Sequence, residues 1–301
     1  MRMKIAVFTK NLTNPAYGAA RLGAERAAAR LGAEVLHFVP QKGDAPEEQS
    51  ALIEQALALT PRPDAFVLSP VHATQVDPAI RRIAAAGIPM IGFVNPITAA
   101  PSVAYVSSDD YQLAFGIAQY LFAHLNGQGR VLVVSGPEES FTSLERLRGF
   151  RAAACQHPGI ELAGLVAGDY VRETARDRTA QWLRDTPALD ACLVANDIMA
   201  IGVLDALDAA GRTAAVVGVN AIPQAIEAIA QGRMLATADF NAMQMAYLAA
   251  ECAVRHLRGE VIPASIELPV QIVDRSNYPQ WDLPYAQRPV ITLEQLLGKP
   301  T

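Results

Sequence analysis

A polar loop near the amino terminus carries two side chains suited to a small uncharged ligand. Asn14 and Tyr17 follow the apolar run Lys4–Phe8 and open an alanine-rich helix that ends at Gly32. Pro15 fits the first helical position, where the missing N–H costs no hydrogen bond. The loop lacks the GxGxxG and GxxxxGK(S/T) patterns that hold phosphates. An amide and a phenol remain, and they favour a ligand of little charge.

The residue patterns that would indicate an enzyme or a metal site are missing from the sequence. It contains no GxSxG, HExxH or CxxC motif, and its five histidines are scattered without ligand spacing. We therefore expect no catalytic residue, no metal ligand and no cofactor, and we do not expect an enzyme.

The amino-acid composition and net charge indicate which classes of protein this chain could belong to. A chain of 301 residues that is 51% hydrophobic and 18% charged is long enough for two domains with buried cores. Its net charge of −5 disfavours a nucleic-acid partner. No apolar run approaches the roughly 20 residues of a membrane-spanning helix. Because a strand follows Met3 directly, we expect either a cytoplasmic protein or one whose export signal has been removed.

The elements that position these residues alternate between strand and helix. Each strand and helix pair takes about 30 residues, which is typical of parallel sheets with helices on both faces. The alternation restarts between Val103 and Asp110, so we predict a second sheet. One further strand is predicted near Leu268–Val273, and Thr292 to Gln295 fit a capping box. The predicted fold class is α/β with two parallel sheets.

Six segments of the sequence, taken with their order and spacing, resemble the type I periplasmic sugar-binding proteins, and the ribose-binding proteins in particular. The likeness runs from about residue 4 to residue 275. The segments are Lys10–Pro15, Gly87–Pro89, Ser108–Asp110, Arg146–Phe150, Ala195–Gly202 and Val217–Asn220.

The resemblance implies two Rossmann-like lobes joined by a hinge of three crossings, with a ligand enclosed between them. We expect an N-terminal lobe of residues 1–107 plus about 240–270 and a C-terminal lobe of residues 108–239 plus about 271–280. Residues 281–301 would form a tail with a short helix.

The resemblance also implies site residues. Five positions match ligand-contacting residues of the family, namely Asn14, Tyr17, Arg146, Tyr170 and Asn196. Other positions depart from the ribose binders: Val94 and Asn95 replace Asp-Arg, Val219 and Asn220 replace Phe-Asp, Phe240 replaces an amide, and Ala16 replaces an aromatic residue. Because two carboxylates are lost, we expect ribose to bind poorly.

The chemistry of these residues suits a sugar or polyol without reference to the family. Hydroxyl groups need amides and a guanidinium in their plane, and aromatic rings cover the C–H faces. The first set is Asn14, Asn95, Asn196, Asn220 and Arg146, and the second is Tyr17, Tyr170 and Phe240. Each asparagine could instead be only a cap or turn residue, and Tyr170 and Phe240 could be core. Arg146 and Arg148 lie two apart on one helix, so only one is expected to bind.

The expected function is that of a solute-binding protein that closes on a sugar or polyol and delivers it to an ABC importer, as a periplasmic monomer. The alternative is a cytoplasmic ligand-sensing domain of the same fold, similar to lactose-repressor effector domains without the DNA-binding headpiece. With Arg146 as the only clear cation, a neutral ligand is favoured over an acidic sugar. Replacing Arg146 is expected to weaken binding with much less effect on stability.

Overall fold

Parallel strands alternate with helices in the computed structural model, which describes residues 2–186 and 188–298. The strands are β1 (Lys4–Phe8), β2 (Glu34–Phe38), β3 (Ala65–Leu68), β4 (Met90–Phe93), β5 (Ala104–Ser108), β6 (Gln128–Ser135), β7 (Gly159–Ala167), β8 (Ala191–Val194), β9 (Ala215–Val219), β10 (Ala236–Asp239), β11 (Ser265–Leu268) and β12 (Gln271–Asp274). The α-helices are α1 (Pro15–Leu31), α2 (Pro46–Ala58), α3 (Asp77–Ala85), α4 (Asp110–His124), α5 (Phe141–Cys155), α6 (Arg172–Asp185), α7 (Asp197–Ala209), α8 (Pro223–Ala230), α9 (Ala242–Leu257) and α10 (Leu293–Leu296).

These elements form two units. The first unit comprises the residues up to Ser108, Asn241–Leu268 and those from Tyr285 onward, and the second comprises Asp109–Phe240 and Pro269–Pro284. The chain therefore passes between the units at four places. The resemblance implies three crossings, and the additional one follows Pro284.

The first unit is built on a six-stranded sheet in the order β11-β5-β4-β3-β1-β2, in which every pairing is parallel. Its four inner strands, β1, β3, β4 and β5, are almost entirely buried, as expected for a sheet with helices on both faces, while the edge strands β2 and β11 are partly exposed. A core cluster on one face includes Phe8, Phe66 and Leu68 with Ile53 of α2 and Ile80 of α3. Because all strands run the same way, their carboxyl ends share one edge of the sheet.

The second unit repeats this plan with the order β12-β10-β9-β8-β6-β7. Its strands are parallel except β12, which runs antiparallel to β10 at the edge. The predicted α/β fold with two parallel-dominated sheets is thus confirmed.

The carboxyl-terminal part of the chain differs from the prediction, which placed one strand near Leu268–Val273. The structure has two strands there, β11 in the first sheet and β12 in the second. They are separated by Pro269, which has no N–H to donate to a ladder and restricts the residue before it. The predicted capping box at Thr292 and Gln295 is present at the start of α10.

Helices α1, α4 and α7 begin at side-chain caps that lie at the carboxyl ends of strands. The side chains of Asn14, Asp109 and Asn196 accept hydrogen bonds from the first turns of α1, α4 and α7.

Within residues 2–186 and 188–298, no helix has both the length and the apolar character needed to cross a bilayer.

Candidate functional site

The first unit places Asn14 and Tyr17 at the start of α1, directly after the loop that follows β1. Asn14 Oδ1 accepts from the Ala16 N–H at 3.0 Å, and the Asn14 N–H donates to Asn11 Oδ1 at 2.9 Å. Asn14 is therefore a helix cap, as one of the two interpretations allowed. The cap uses its oxygen, so its NH2 group is the part suited to contact a ligand. Tyr17 is buried on the same helix, 6% exposed.

Asn95 follows β4 at the same edge of the first sheet. Its Nδ2 donates to the Pro70 carbonyl at 2.6 Å. Its Oδ1 is buried and has no hydrogen-bond partner among the described residues. The same holds for the hydroxyls of Ser69, which follows β3, and Ser108, which ends β5. Three neighbouring strands thus end in buried polar groups whose hydrogen bonds are incomplete.

Ser69 and Ser108 were not among the site residues predicted from the sequence. The available signal was their position, because each lies at the end of an apolar strand on the edge that carries Asn95. A serine there is equally common as a turn residue.

Lys10 is a second feature that sequence reasoning missed. It follows β1 and is almost completely buried, at 1% exposure. Its Nζ lies 2.9 Å from Asp44 Oδ1 and forms an ion pair with it. Arg146 is therefore not the only buried cation, which corrects the expectation. Lys10 is balanced by a carboxylate beside it.

The second unit holds Arg146 in a buried arrangement on α5. Its Nε donates to Asp110 Oδ1 at 2.7 Å and its Nη1 to the Ala195 carbonyl at 2.6 Å. The guanidinium carbon lies 4.9 Å from the centre of the Phe240 ring. Asp110, at the start of α4, is a counterion of Arg146. Only 3% of Arg146 is exposed.

Arg146 and Arg148 of α5 have different surroundings, as expected. Arg148 is exposed, lies over the Tyr111 ring at 4.0 Å and pairs with Glu145 on its own helix. It is a solvated surface charge, while Arg146 holds α4, α5 and the end of β8 together.

Tyr170 lies in the loop after β7, where it and Asp169 have positive φ values of 60° and 56°. Its hydroxyl is 2.9 Å from Thr142 Oγ1 at the start of α5. A side chain at Gly136, just after β6, would overlap the Tyr170 ring, so the glycine leaves room for it. The ring is half-buried. It lies at the carboxyl edge of the sheet and is not in the core.

Asn196 and Asn220 follow the adjacent strands β8 and β9. Asn196 Oδ1 caps α7 by accepting from the Met199 N–H at 3.0 Å. Asn220 has φ of 125°, which is unusual for a residue with a side chain, and Ala221 has φ of 51°. Asn220 Oδ1 is buried and has no hydrogen-bond partner among the described residues. Asn220 Oδ1 in the second unit thus corresponds to Asn95 Oδ1 in the first unit.

The turn after Asn220 is held by a buried carboxyl group. Asp197 accepts from the Thr237 hydroxyl at 2.7 Å and from the Ile222 N–H at 3.1 Å. Its complete burial raises the pKa of this carboxyl to about 7. These contacts fix the loops after β8 and β9 to each other.

Within each unit the predicted residues share one sheet edge. Asn14, Tyr17 and Asn95 lie at the carboxyl edge of the first sheet. At the corresponding edge of the second, Arg146 contacts Phe240, Asn196 and Asn220 follow neighbouring strands, and Tyr170 reaches the start of α5. In the part of the chain that the structure describes, no three His, Cys, Asp or Glu side chains are grouped to hold a metal.

Residues 5–260 match the family described as the periplasmic binding protein domain, and the chain belongs to that family. The ribose import binding protein of Escherichia coli (strain K12) is 28% identical over 272 residues, 89% of this chain and 90% of that protein. The xylitol-binding protein of Mycolicibacterium smegmatis is 27% identical over 181 residues, 59% of this chain and 52% of that protein.

A solved structure extends the similarity to the fold of nearly the whole chain. It is an ABC transporter periplasmic solute-binding protein of Actinobacillus succinogenes 130z with bound D-allose. The TM-score is 0.86 and the identity 27%, over 92% of this chain and 99% of that one. The resemblance seen in the sequence is confirmed.

Proposed function

We propose that this protein is a solute-binding protein that captures a neutral sugar or polyol with residues of both units and delivers it to an ABC importer. The observation that carries the proposal is the pair of amide oxygens with incomplete hydrogen bonds, Asn95 Oδ1 and Asn220 Oδ1. An unmatched buried acceptor costs about 1–3 kcal/mol. Ligand hydroxyl groups that donate to these oxygens would recover that free energy.

The charge balance supports a neutral ligand. The buried cations Arg146 and Lys10 lie beside Asp110 and Asp44. Binding a carboxylate usually requires a bidentate arginine or a helix N-terminus without a competing anion. Because both cations have a carboxylate within contact distance, an acidic sugar would compete with those aspartates.

Ribose is proposed to be a poor ligand. Val94, at a position where ribose binders carry a carboxylate, is buried at 1% exposure and offers no polar side-chain atom. Asn220 offers one acceptor and one donor in place of a second carboxylate. Because an amide both donates and accepts hydrogen bonds, it can bind hydroxyl arrangements that differ from the arrangement bound by two carboxylates.

The remaining proposed contacts are Asn14, Tyr17, Tyr170, Asn196 and Phe240. The tyrosines would cover the C–H faces of the ligand. Phe240 is 3% exposed and the Arg146 guanidinium lies over its ring, so only a small part of the ring would contact a ligand. Arg146 itself is proposed to act mainly by holding Phe240 and the end of β8 in place.

The proposed mechanism is closure. A ligand that contacts both units binds the closed state more tightly than the open one and shifts the population toward it. The closed state would be what the membrane permease recognises. We propose a periplasmic monomer without a nucleic-acid partner, in keeping with the family and with the net charge of −5.

Differential scanning fluorimetry with xylitol, D-allose, ribose, myo-inositol and an aldonate tests the proposal. A ligand at a hundred times its Kd stabilises by about 2.7 kcal/mol, and small-angle scattering should show compaction with that ligand. Asn95→Ala and Asn220→Ala should lose the thermal shift, while Gln128→Ala, an exposed amide at the start of β6, should keep it. If no sugar or polyol raises the melting temperature, the proposed ligand class is wrong.

A further inference from the structure

The segment after β12 lies against the carboxyl edge of the second unit. It includes a 3-10 turn at Tyr278–Gln280 followed by Trp281. The family match ends at residue 260, so this segment belongs to the part of the chain beyond it. Tyr278 and Trp281 pack against a buried cluster of Ala221, Ile226 and Val273.

Trp281 makes a directed polar contact at this edge. Its indole Nε1 donates to Asp239 Oδ2 at 2.9 Å. Asp239 is the last residue of β10 and is buried, at 8% exposure. A hydrogen bond to a carboxylate in a largely desolvated place is stronger than one between neutral groups. It therefore fixes the orientation of the carboxylate.

Both partners of Trp281 adjoin proposed ligand residues. Ala221 follows Asn220, and both have positive φ values that the surrounding structure must hold in place. Phe240 follows Asp239 and packs on Arg146. One side chain from the carboxyl-terminal segment thus contacts the residues next to two of the binding positions.

We propose that Trp281 is a positioning residue for ligand binding, which fixes the Asp239 carboxylate and the Asn220–Ala221 turn at the carboxyl edge of the second unit. The proposal rests on the proposed function and adds a specificity determinant from outside the matched domain. Trp281 acts through Asp239 by its N–H group and through Ala221 by the packing of its ring.

Trp281→Phe separates these two roles, because phenylalanine keeps an aromatic ring and removes the donor. The matched control is Trp182→Phe, since Trp182 lies on α6 next to Gly164 of β7 and is the other tryptophan of the chain. With xylitol and D-allose as calorimetric probes, Trp281→Phe should raise Kd about tenfold. Trp182→Phe should change Kd by less than twofold.

A double-mutant cycle with Asp239→Ala, which removes the acceptor, distinguishes positioning from general packing. If Trp281 acts through the carboxylate, Trp281→Phe should weaken binding no further when Asp239→Ala is already present. Additive effects on Kd, or wild-type affinity in Trp281→Phe, would overturn the proposal.

A ligand-free measurement keeps this test separate from that of the proposed function. Amide hydrogen exchange at residues 219–222 and 239–241 should be faster in Trp281→Phe than in Trp182→Phe, because the turn and the end of β10 lose a restraint. If neither probe binds the wild type, the proposed ligand class fails, and this exchange measurement still decides the role of Trp281. Equal protection in the two variants would contradict it.

Discussion

Replacing Arg146 by alanine tests the buried ion pair of the second unit. Truncation would leave the Asp110 carboxylate, only 1% exposed, without its counterion and remove the donor to the Ala195 carbonyl. Breaking a buried pair from one side costs about 3–5 kcal/mol, much of it from the charge left behind. The contact with the Phe240 ring would be lost as well. We therefore expect a large loss of stability, contrary to the small loss expected from the sequence.

The assay is thermal unfolding without ligand. For a unit of this size, each kcal/mol shifts the melting temperature by about 2–4 °C, so Arg146→Ala should lower it by roughly 6–20 °C. The double variant Arg146→Ala/Asp110→Ala should be less destabilised than the sum of the single changes, since the unpaired charge is then absent. Arg148→Ala, on the exposed face of α5, is the control and should change little. A shift of under 2 °C in Arg146→Ala would refute the assigned structural role.

Three further outcomes are expected. Gly136→Ala should displace the Tyr170 ring and raise Kd about tenfold by calorimetry; unchanged affinity would remove that ring from the site. Burial raises the pKa of Asp197 from 3.8 to about 7, so stability should fall by up to about 4 kcal/mol as pH rises from 4 to above 7. Urea unfolding should show this slope in wild type and lose it in Asp197→Asn. Glu251→Ala should lower the melting temperature and free the last helix to proteolysis, because Glu251 pairs with two arginines and accepts from the Leu293 N–H; a protected tail would contradict this.

Several features were predictable because they depend on local sequence. The start of α1 follows from Asn14 and Pro15, because an N-cap residue followed by proline favours a helix start without any contact from distant residues. The division into two sheets follows from the strand and helix alternation. The break between β11 and β12 was also encoded locally, in Pro269, and was overlooked because the apolar pattern continues across it.

The parts that the sequence did not predict depend on residues far apart in the chain. Arg146 and Asp110 are separated by 36 positions, and Trp281 and Asp239 by 42. No periodicity marks which acidic residue a given cation meets. The burial of Lys10 also could not be predicted from the sequence, because a lysine after a strand is more often exposed than buried.

The central claim is that the chain binds a neutral polyhydroxylated ligand through amides in place of carboxylates. Calorimetric titration of one protein preparation with xylitol, D-allose, ribose and ribonate tests it most directly. We expect measurable binding of xylitol, D-allose or both, and binding of ribose and ribonate at least tenfold weaker. Tight ribose binding, or selective binding of ribonate over the neutral ligands, would contradict it.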